Sequence, residues 1–99
     1  MDRKLLQFLG LCQRAGKMVS GETSVSGAIK DGSAELVIVA QNASDNTKKK
    51  FSDSAAYYNR NIVFFGDKFE LGKAIGKDER AVIAVIDNGF AKKIVEMVG

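Results

Sequence analysis

Hydrophobic side chains recur at helical intervals near the start of the chain. Leu5, Leu9 and Cys12 are three or four residues apart, so they share one face of a helix. Gly16 follows this run, and glycine commonly ends helices because it adopts the left-handed conformation without strain. The pattern therefore predicts a first helix over residues 3–15.

Strand-like segments alternate with helical ones along the rest of the chain. The two most apolar runs, 35–40 and 80–86, are rich in β-branched residues, as expected of strands that are buried on both faces. These two strands are predicted to be central in the sheet. Shorter runs at 17–20 and 61–65 predict two further strands.

The remaining segments combine helical spacing with capping residues. Four further helices are predicted. The second is capped by Ser20, Thr23 or Ser24 and ends at Gly32, and the third covers residues 47–58. The fourth runs from Asp67 or Lys68 to about Gly76, and the fifth from Asn88 through Met97. Strands separated by single helices imply crossover connections, with helices on both faces of the sheet. The sequence thus predicts an α/β fold, a three-layer α/β/α sandwich around a mixed sheet of about four strands.

Composition agrees with a single domain over residues 1–99. Of the 99 residues, 45% are hydrophobic and 27% are charged, close to ordinary globular usage. The longest apolar runs are far shorter than the ~20 residues that cross a membrane, so no membrane partner is expected. The first residues contain no long apolar segment, and no signal peptide is expected.

Absent residue types narrow the chemistry. The chain has no histidine, which removes the commonest general base and the usual hydrolytic triads, and one cysteine, which forms neither an internal disulfide nor a cysteine cluster. No catalytic residue, metal site or cofactor is therefore expected. Cys12 lies on the apolar face of the first predicted helix and is expected to be buried, and a lone thiol suits the reducing cytoplasm.

Basic residues are slightly in excess. Fifteen Lys and Arg residues against 12 Asp and Glu residues give a net charge of +3, which permits a nucleic-acid partner without requiring one. Lys48, Lys49 and Lys50 fall in the first turn of the third predicted helix, where cations oppose the helix dipole. With the free N–H groups of a helix start they could hold a phosphate, although simple solvation explains them equally well.

Aromatic residues are a second candidate signal for nucleic-acid binding. Tyr57, Tyr58 and Phe65 have ring faces on which bases could stack. Their spacing favours packing in the core instead, so they are predicted to be core residues.

Several strings, in order, resemble a known family. They are Gly-Lys-Met-Val-Ser-Gly-Glu at 16–22, the apolar strand at 36–40, Asn-Ala-Ser-Asp-Asn-Thr-Lys-Lys-Lys at 42–50, Glu-Leu-Gly-Lys-Ala-Ile-Gly at 70–76, Gly-Lys-Asp-Glu-Arg at 76–80 and the apolar strand at 81–85. Together they resemble the kink-turn-binding ribosomal protein family, the L-seven-Ae-like group, and most closely its bacterial YlxQ-type branch. The resemblance covers nearly the whole chain.

The resemblance implies the same sandwich fold and RNA binding without catalysis. The implied partner is structured RNA, either ribosomal RNA or kink-turn RNA, bound by a monomer in the ribosome or another ribonucleoprotein. By matched position, the RNA-binding residues are Gly21, Thr23, Ser24, Ser44, Lys48, Lys68, Lys77 and Arg80. The match of Arg80 requires one extra residue in the loop at 77–79.

One motif departs from the family pattern. Kink-turn binders have a Gly-x-Asn-Glu-x-x-Lys signature at the second helix, whose side chains contact the sheared G·A pairs. Here Gly21 is kept, but Thr23, Ser24 and Gly27 replace the amide, the carboxylate and the lysine. The scaffold and the phosphate contacts are therefore predicted more securely than kink-turn specificity.

A protein–protein adaptor remains the alternative to RNA binding. The altered signature and the modest net charge both favour it. An adaptor would keep its protein partner after nuclease treatment, whereas an RNA-binding protein would lose partners held through RNA.

Overall fold

A computed structural model of the chain describes residues 3–99. Within these residues the elements are α1 (Arg3–Arg14), β1 (Met18–Ser20), α2 (Glu22–Lys30), β2 (Leu36–Val39), α3 (Asp45–Tyr57), β3 (Asn61–Phe64), α4 (Lys68–Ala74), β4 (Val82–Val85) and α5 (Asn88–Val98). No helix in this part of the chain combines the length and apolar character needed to cross a membrane.

The four strands form one mixed sheet in the order β1-β4-β2-β3. β4 is antiparallel to both of its neighbours, and β2 and β3 are parallel. Every residue of β2 and β4 is buried, whereas β3 is only partly covered. The prediction that the two apolar runs are the central strands is therefore confirmed.

Helices cover both faces of this sheet. α1 contacts α4 and α5 on one face, and α2 contacts α3 on the other. The predicted three-layer α/β/α sandwich with a mixed sheet is thus confirmed. The β2–α3–β3 unit supplies the parallel crossover, since parallel neighbours cannot be joined by a tight turn.

One hydrophobic cluster runs through the described residues and joins both helical layers to the sheet. Its largest fully buried side chains include Phe51 of α3, Leu5 and Leu9 of α1, Ile38 of β2 and Ile83 of β4. Burying each such side chain contributes about 1.5–3 kcal/mol relative to exposure. Buried side chains of the helices and of the central strands therefore stabilise the sandwich together.

Cys12 belongs to this core, as its position on the apolar face of α1 predicted. Its side chain has no exposed surface, and its Sγ lies 3.5 Å from the carbonyl oxygen of Lys17. Burial, together with the nearby negative charge of Asp87, raises the pKa of the thiol to about 11. The folded state therefore holds an un-ionised, unreactive cysteine.

Two helix starts differ from the sequence prediction. α2 begins after Gly21, which makes no side-chain cap, and not after Ser20, Thr23 or Ser24. α3 begins at Asp45, two residues before the predicted start, because the Ser44 side chain accepts the N–H of Thr47 and caps the helix there. The cap at Ser44 therefore places the start of α3 two residues earlier than predicted.

Tyr57 corrects the prediction that three aromatic residues pack in the core. Its side chain is 81% exposed, whereas Tyr58 and Phe65 are half-buried against the core. Tyr57 is the last residue of α3, beyond the buried Phe51 and Ala55. Tyr57 follows Ala55 by two residues, so it lies about 200° around the helix from the buried side and faces solvent.

Two glycines let α4 approach its neighbours closely. A Cβ at Gly10 would lie 2.8 Å from the carbonyl oxygen of Ala74, and one at Gly72 would collide with the carbonyl oxygen of Asp78. The first contact sets the distance between α1 and α4. The second holds the loop between α4 and β4 against the helix.

We expect Gly72→Ala to lower the free energy of unfolding by about 1–3 kcal/mol, because the methyl group overpacks a backbone contact. Gly27→Ala is the matched control: Gly27 lies within α2 with nothing within 4 Å of a Cβ. That substitution should instead raise stability by roughly 0.5–1 kcal/mol. Urea denaturation measures both, and equal effects would contradict the close approach at Gly72.

The raised pKa of Cys12 predicts slow alkylation and a specific pH dependence of stability. Iodoacetamide at about pH 8 should modify the folded protein far more slowly than the urea-unfolded chain. As pH rises from about 9 towards 11, the Cys12 thiol loses its proton in the unfolded chain but keeps it in the folded protein. The free energy of unfolding therefore decreases over this range. The stability difference between the wild type and Cys12→Ala should shift against the wild type over this range. A constant difference would contradict the raised pKa.

Candidate nucleic-acid interface

Segments that flank all four strands meet at one end of the sheet, where the strands begin or terminate. β1, β2 and β3 terminate at the end of the sheet where β4 begins. This follows because β4 is antiparallel to β1 and β2, while β3 is parallel to β2. The segments that follow the first three strands contain Gly21, Ser44 and Lys68, and the segment that precedes β4 contains Arg80. The sheet topology alone therefore brings these four positions together.

A groove of about 430 Å³ lies between these segments, and we call it the strand-end groove. Its lining includes Gly21, Glu22, Ser44, Thr47, Lys68 and Arg80. Four of the eight residues predicted from the sequence, namely Gly21, Ser44, Lys68 and Arg80, thus share one concave surface.

The start of α2 presents unpaired backbone donors at this groove. Gly21 has φ +90° and ψ 155°, a conformation that only glycine adopts without strain, and its N–H donates to the carbonyl oxygen of Val82 at 3.1 Å. Within residues 3–99, nothing accepts a hydrogen bond from the N–H groups of Glu22, Thr23 and Ser24. Three donors and the positive end of the helix dipole are therefore available to an anion.

The start of α3 is tied to α2 by Glu22. Ser44 Oγ accepts from the N–H of Thr47 at 3.1 Å and donates to its Oγ1 at 3.0 Å. The Thr47 hydroxyl donates to one oxygen of Glu22 at 3.4 Å, and Lys50 Nζ lies 3.3 Å from the other. These contacts hold the two helix starts together on one side of the groove.

The lysine run occupies different helical positions from those predicted. Because α3 begins at Asp45, Lys49 and Lys50 lie in its second turn, where the opposing dipole is weaker. Lys49 pairs with Asp53 at 3.1 Å, and Lys50 pairs with Glu22. The prediction that all three lysines share the first turn is wrong, and only Lys48 makes no ion pair with the described part of the chain.

Arg80 is held in place at the opposite side of the groove. Its Nε donates to Ser20 Oγ at 3.1 Å, and one terminal nitrogen donates to the carbonyl oxygens of Glu79 and Asp78 at 3.0 and 3.3 Å. Its backbone N–H donates to the carbonyl oxygen of Lys68 at 2.9 Å. A guanidinium has five N–H donors, so these bonds orient the group and leave donors for a ligand.

Lys68 begins α4 beside Arg80. Its backbone N–H donates to Oδ1 of Asn42 at 2.8 Å, which fixes the start of α4 against the loop after β2. Its Nζ lies 4.0 Å from a Glu79 carboxylate oxygen and 5.5 Å from the centre of the Phe69 ring. The ion pair is long and partly solvated, so a phosphate could replace the carboxylate at little cost.

The other four predicted residues lie outside the lining of the groove. Thr23 and Ser24 are exposed in the first turn of α2, and Lys48 is half-buried on α3. Lys77 is exposed beyond the C-terminal end of α4, which is about 10 Å long from Lys68 to Ala74. Lys77 therefore lies farther from the groove than the family resemblance implies.

Sequence reasoning missed four residues that build the groove: Ser20, Glu22, Asn42 and Thr47. Three of their hydrogen bonds join residues 25, 26 and 60 positions apart in the chain. A local signal existed only at Ser44-x-x-Thr47, which has the spacing of a helix cap. The remaining roles follow from tertiary contacts.

The groove is suited to binding a polyanion. It combines backbone N–H groups, hydroxyls and two cationic side chains, with the carboxylates of Glu22 and Glu79 between them. Residues 3–99 contain no group of three His, Cys, Asp or Glu side chains that could hold a metal ion. The chemistry that these groups support is hydrogen bonding and charge neutralisation.

Comparisons with known proteins agree with this geometry. The model of the ribosomal protein L7Ae/L30e/S12e/Gadd45 family matches residues 3–95. The chain is 40% identical over 96 residues to RNA-binding protein YlxQ of Enterococcus faecium, covering 97% of this chain and 92% of that protein. It is 42% identical over 90 residues to RNA-binding protein YlxQ of Bacillus subtilis (strain 168), covering 91% of this chain and 90% of that protein.

A solved structure has the same fold. A protein with unknown function from Bacillus halodurans C superposes on this chain with a TM-score of 0.93 at 39% sequence identity. The match covers 98% of both chains. The sheet order and the helical layers described above are therefore shared along almost the whole length.

Proposed function

The chain belongs to the ribosomal protein L7Ae/L30e/S12e/Gadd45 family, and on that premise we propose that it is a non-catalytic protein that binds structured RNA of the kink-turn type. The RNA lies in the strand-end groove and is held chiefly through its phosphates. The partner is ribosomal RNA or another structured RNA of a ribonucleoprotein. The protein acts as a monomer in the cytoplasm, where its free thiol Cys12 stays reduced.

One observation carries the proposal: the uncapped start of α2 lies at the same groove as the side chains of Lys68 and Arg80. The N–H groups of residues 22–24 have no acceptor within the described chain, and Lys68 and Arg80 line the groove beside them. Unpaired N–H groups at a helix start, a positive helix dipole and cations form a ready site for phosphate. Gly21 has no side chain, so an RNA backbone can approach these donors closely.

The two carboxylates of the groove restrict how RNA can enter. Glu22 is already occupied by Thr47 and Lys50, so its charge is largely balanced. Glu79 faces Lys68 across 4.0 Å, and a phosphate at Lys68 would displace it. An RNA whose shape places phosphates at Lys68 and Arg80, away from Glu22, is favoured over an arbitrary polyanion. This discrimination by shape suits a folded RNA.

Kink-turn recognition rests on Thr23 and Ser24 in this chain. Both hydroxyls are exposed in the first turn of α2, beside the free N–H groups. A hydroxyl donates and accepts hydrogen bonds, so each can contact the edge of a G·A pair, with a shorter reach than the amide and carboxylate of the family signature. The proposed kink specificity is correspondingly weaker than in relatives that keep those groups.

We expect tighter binding to a standard kink-turn RNA than to the same RNA with its G·A pairs disrupted, measured with nucleic-acid-free protein at about 150 mM salt. Discrimination by two short hydroxyl groups should be about tenfold. Equal affinity would contradict kink specificity and leave general binding of structured RNA. Binding to neither RNA would contradict the proposed function and favour a protein–protein adaptor.

The phosphate contacts predict a defined salt dependence. We expect Lys68→Ala with Arg80→Ala to weaken binding to the kink-turn RNA and to reduce the slope of log K against log salt by roughly 1 for each lost contact. Lys92→Ala with Lys93→Ala is the matched control, because it removes the same charge from α5; Lys92 lies beside Glu35 and Asn61, at the opposite edge of the sheet. An equal loss of affinity in the control would mean that net charge, and not the strand-end groove, governs binding.

A further inference from the structure

An exposed aromatic side chain stands next to the strand-end groove. Phe69, in the first turn of α4, is 60% exposed, although a phenylalanine is normally buried. Its ring lies 5.5 Å from Nζ of Lys68, which itself lines the groove. Proteins that bind single-stranded nucleic acid stack unpaired bases on aromatic rings placed beside cations.

A basic cleft lies on the side of α4 that faces α1. It has a volume of about 610 Å³ between α1 and α4, and we call it the α1–α4 cleft. Its lining contains three cations, Arg3, Arg14 and Lys73, and one carboxylate, Glu70. None of these four forms an ion pair with another residue of the described chain. The cleft therefore has an unbalanced positive charge.

Gly10 shapes this cleft. A Cβ at Gly10 would lie 2.8 Å from the carbonyl oxygen of Ala74 and 3.4 Å from a terminal nitrogen of Arg14. The missing side chain lets α1 approach α4, and it also lets the Arg14 guanidinium lie over the helix surface within the cleft. The guanidinium thus lies at the cleft, while the Arg14 side chain as a whole remains exposed.

Three residues of α4 form a strip that leads from the groove to the cleft: Lys68, which lines the groove, Phe69, and Lys73, which lines the cleft. Phe69 and Lys73 are one turn apart on α4, so they share a helix face. Counted around the helix from Lys68, Phe69 is at about 100° and Lys73 at about 140°, and both lie further along the axis. The aromatic ring therefore lies between the two cations on the surface of α4.

We infer that RNA held in the strand-end groove continues as a single strand across α4 into the α1–α4 cleft. An unpaired base stacks on Phe69, and the following phosphates contact Lys73 and Arg14. This inference rests on the proposed function, because the strand enters from the groove. An acidic protein segment would satisfy the cations alone, but the exposed ring between them favours a nucleic acid.

The test compares three RNAs. One is a kink-turn hairpin with flush ends. The other two are the same hairpin with about eight unpaired nucleotides of alternating cytidine and adenosine, added to the 5′ end in one RNA and to the 3′ end in the other. Wild-type protein should bind one of the extended hairpins about tenfold more tightly than the flush hairpin, which corresponds to one stacked base. The extended complex should also have the steeper salt dependence.

Variants then assign the gain to the strip. Phe69→Ala should remove most of the tenfold gain and leave the flush hairpin unaffected. Arg14→Ser with Lys73→Ser should reduce the salt slope of the extended complex by about 0.7 for each cation. Tyr57→Ala, which removes another exposed aromatic ring, and Lys92→Ser, which removes a cation at the opposite edge of the sheet, are the matched controls and should keep the full gain.

Each other outcome overturns the inference. Equal binding of flush and extended hairpins by wild type, or a gain that survives both sets of variants, overturns the inference and leaves the proposed function in place. Binding of neither hairpin overturns the proposed function and the inference together. If the extension adds nothing while a polyglutamate peptide binds wild type and not Arg14→Ser with Lys73→Ser, the cleft docks an acidic protein segment instead.

Discussion

The antiparallel pairing of β4 with both β1 and β2 is the constraint on which the rest of the molecule depends. It sets the ends of β1 and β2 at the start of β4, and the parallel β3 adds its own end to the same edge. Residues from four distant parts of the chain thereby meet in one groove. The hydrogen bond from the N–H of Gly21 to Val82 extends this pairing by one residue before α2 begins. A helix start left without a cap is therefore held rigidly at the sheet edge.

Contacts around the groove fix its polar groups in advance of any ligand. Ser44 and Glu22 hold two helix starts together, and Asn42 holds the third against the loop after β2. Arg80 is oriented by Ser20 and by two backbone carbonyl oxygens. Oriented donors lose little conformational entropy on binding, so a modest number of phosphate contacts can support specific recognition. The small net charge of +3 is no obstacle to RNA binding when the cations are placed in this way.

The structure distributes its unbalanced charge unevenly. Lys49 and Lys50, in the most basic stretch of the chain, are paired with nearby carboxylates. Lys73 and Arg14, isolated in the sequence, share a cleft with a single carboxylate. Charge runs in a sequence are therefore poor guides to binding surfaces, since helix faces separate neighbours and bring distant cations together.

The sequence by itself determined the fold class, the order of elements and the two central strands, because hydrophobic periodicity and β-branched runs are local properties. It also placed Gly21, Ser44, Lys68 and Arg80 in the candidate site through the family resemblance. Only the tertiary structure decided the positions of Ser20, Glu22 and Asn42 around the groove, because their hydrogen-bond partners lie 60, 25 and 26 residues away in the chain. These features depend on hydrogen bonds and packing between segments that are far apart in the chain. Periodicity within one segment contains no information about such contacts.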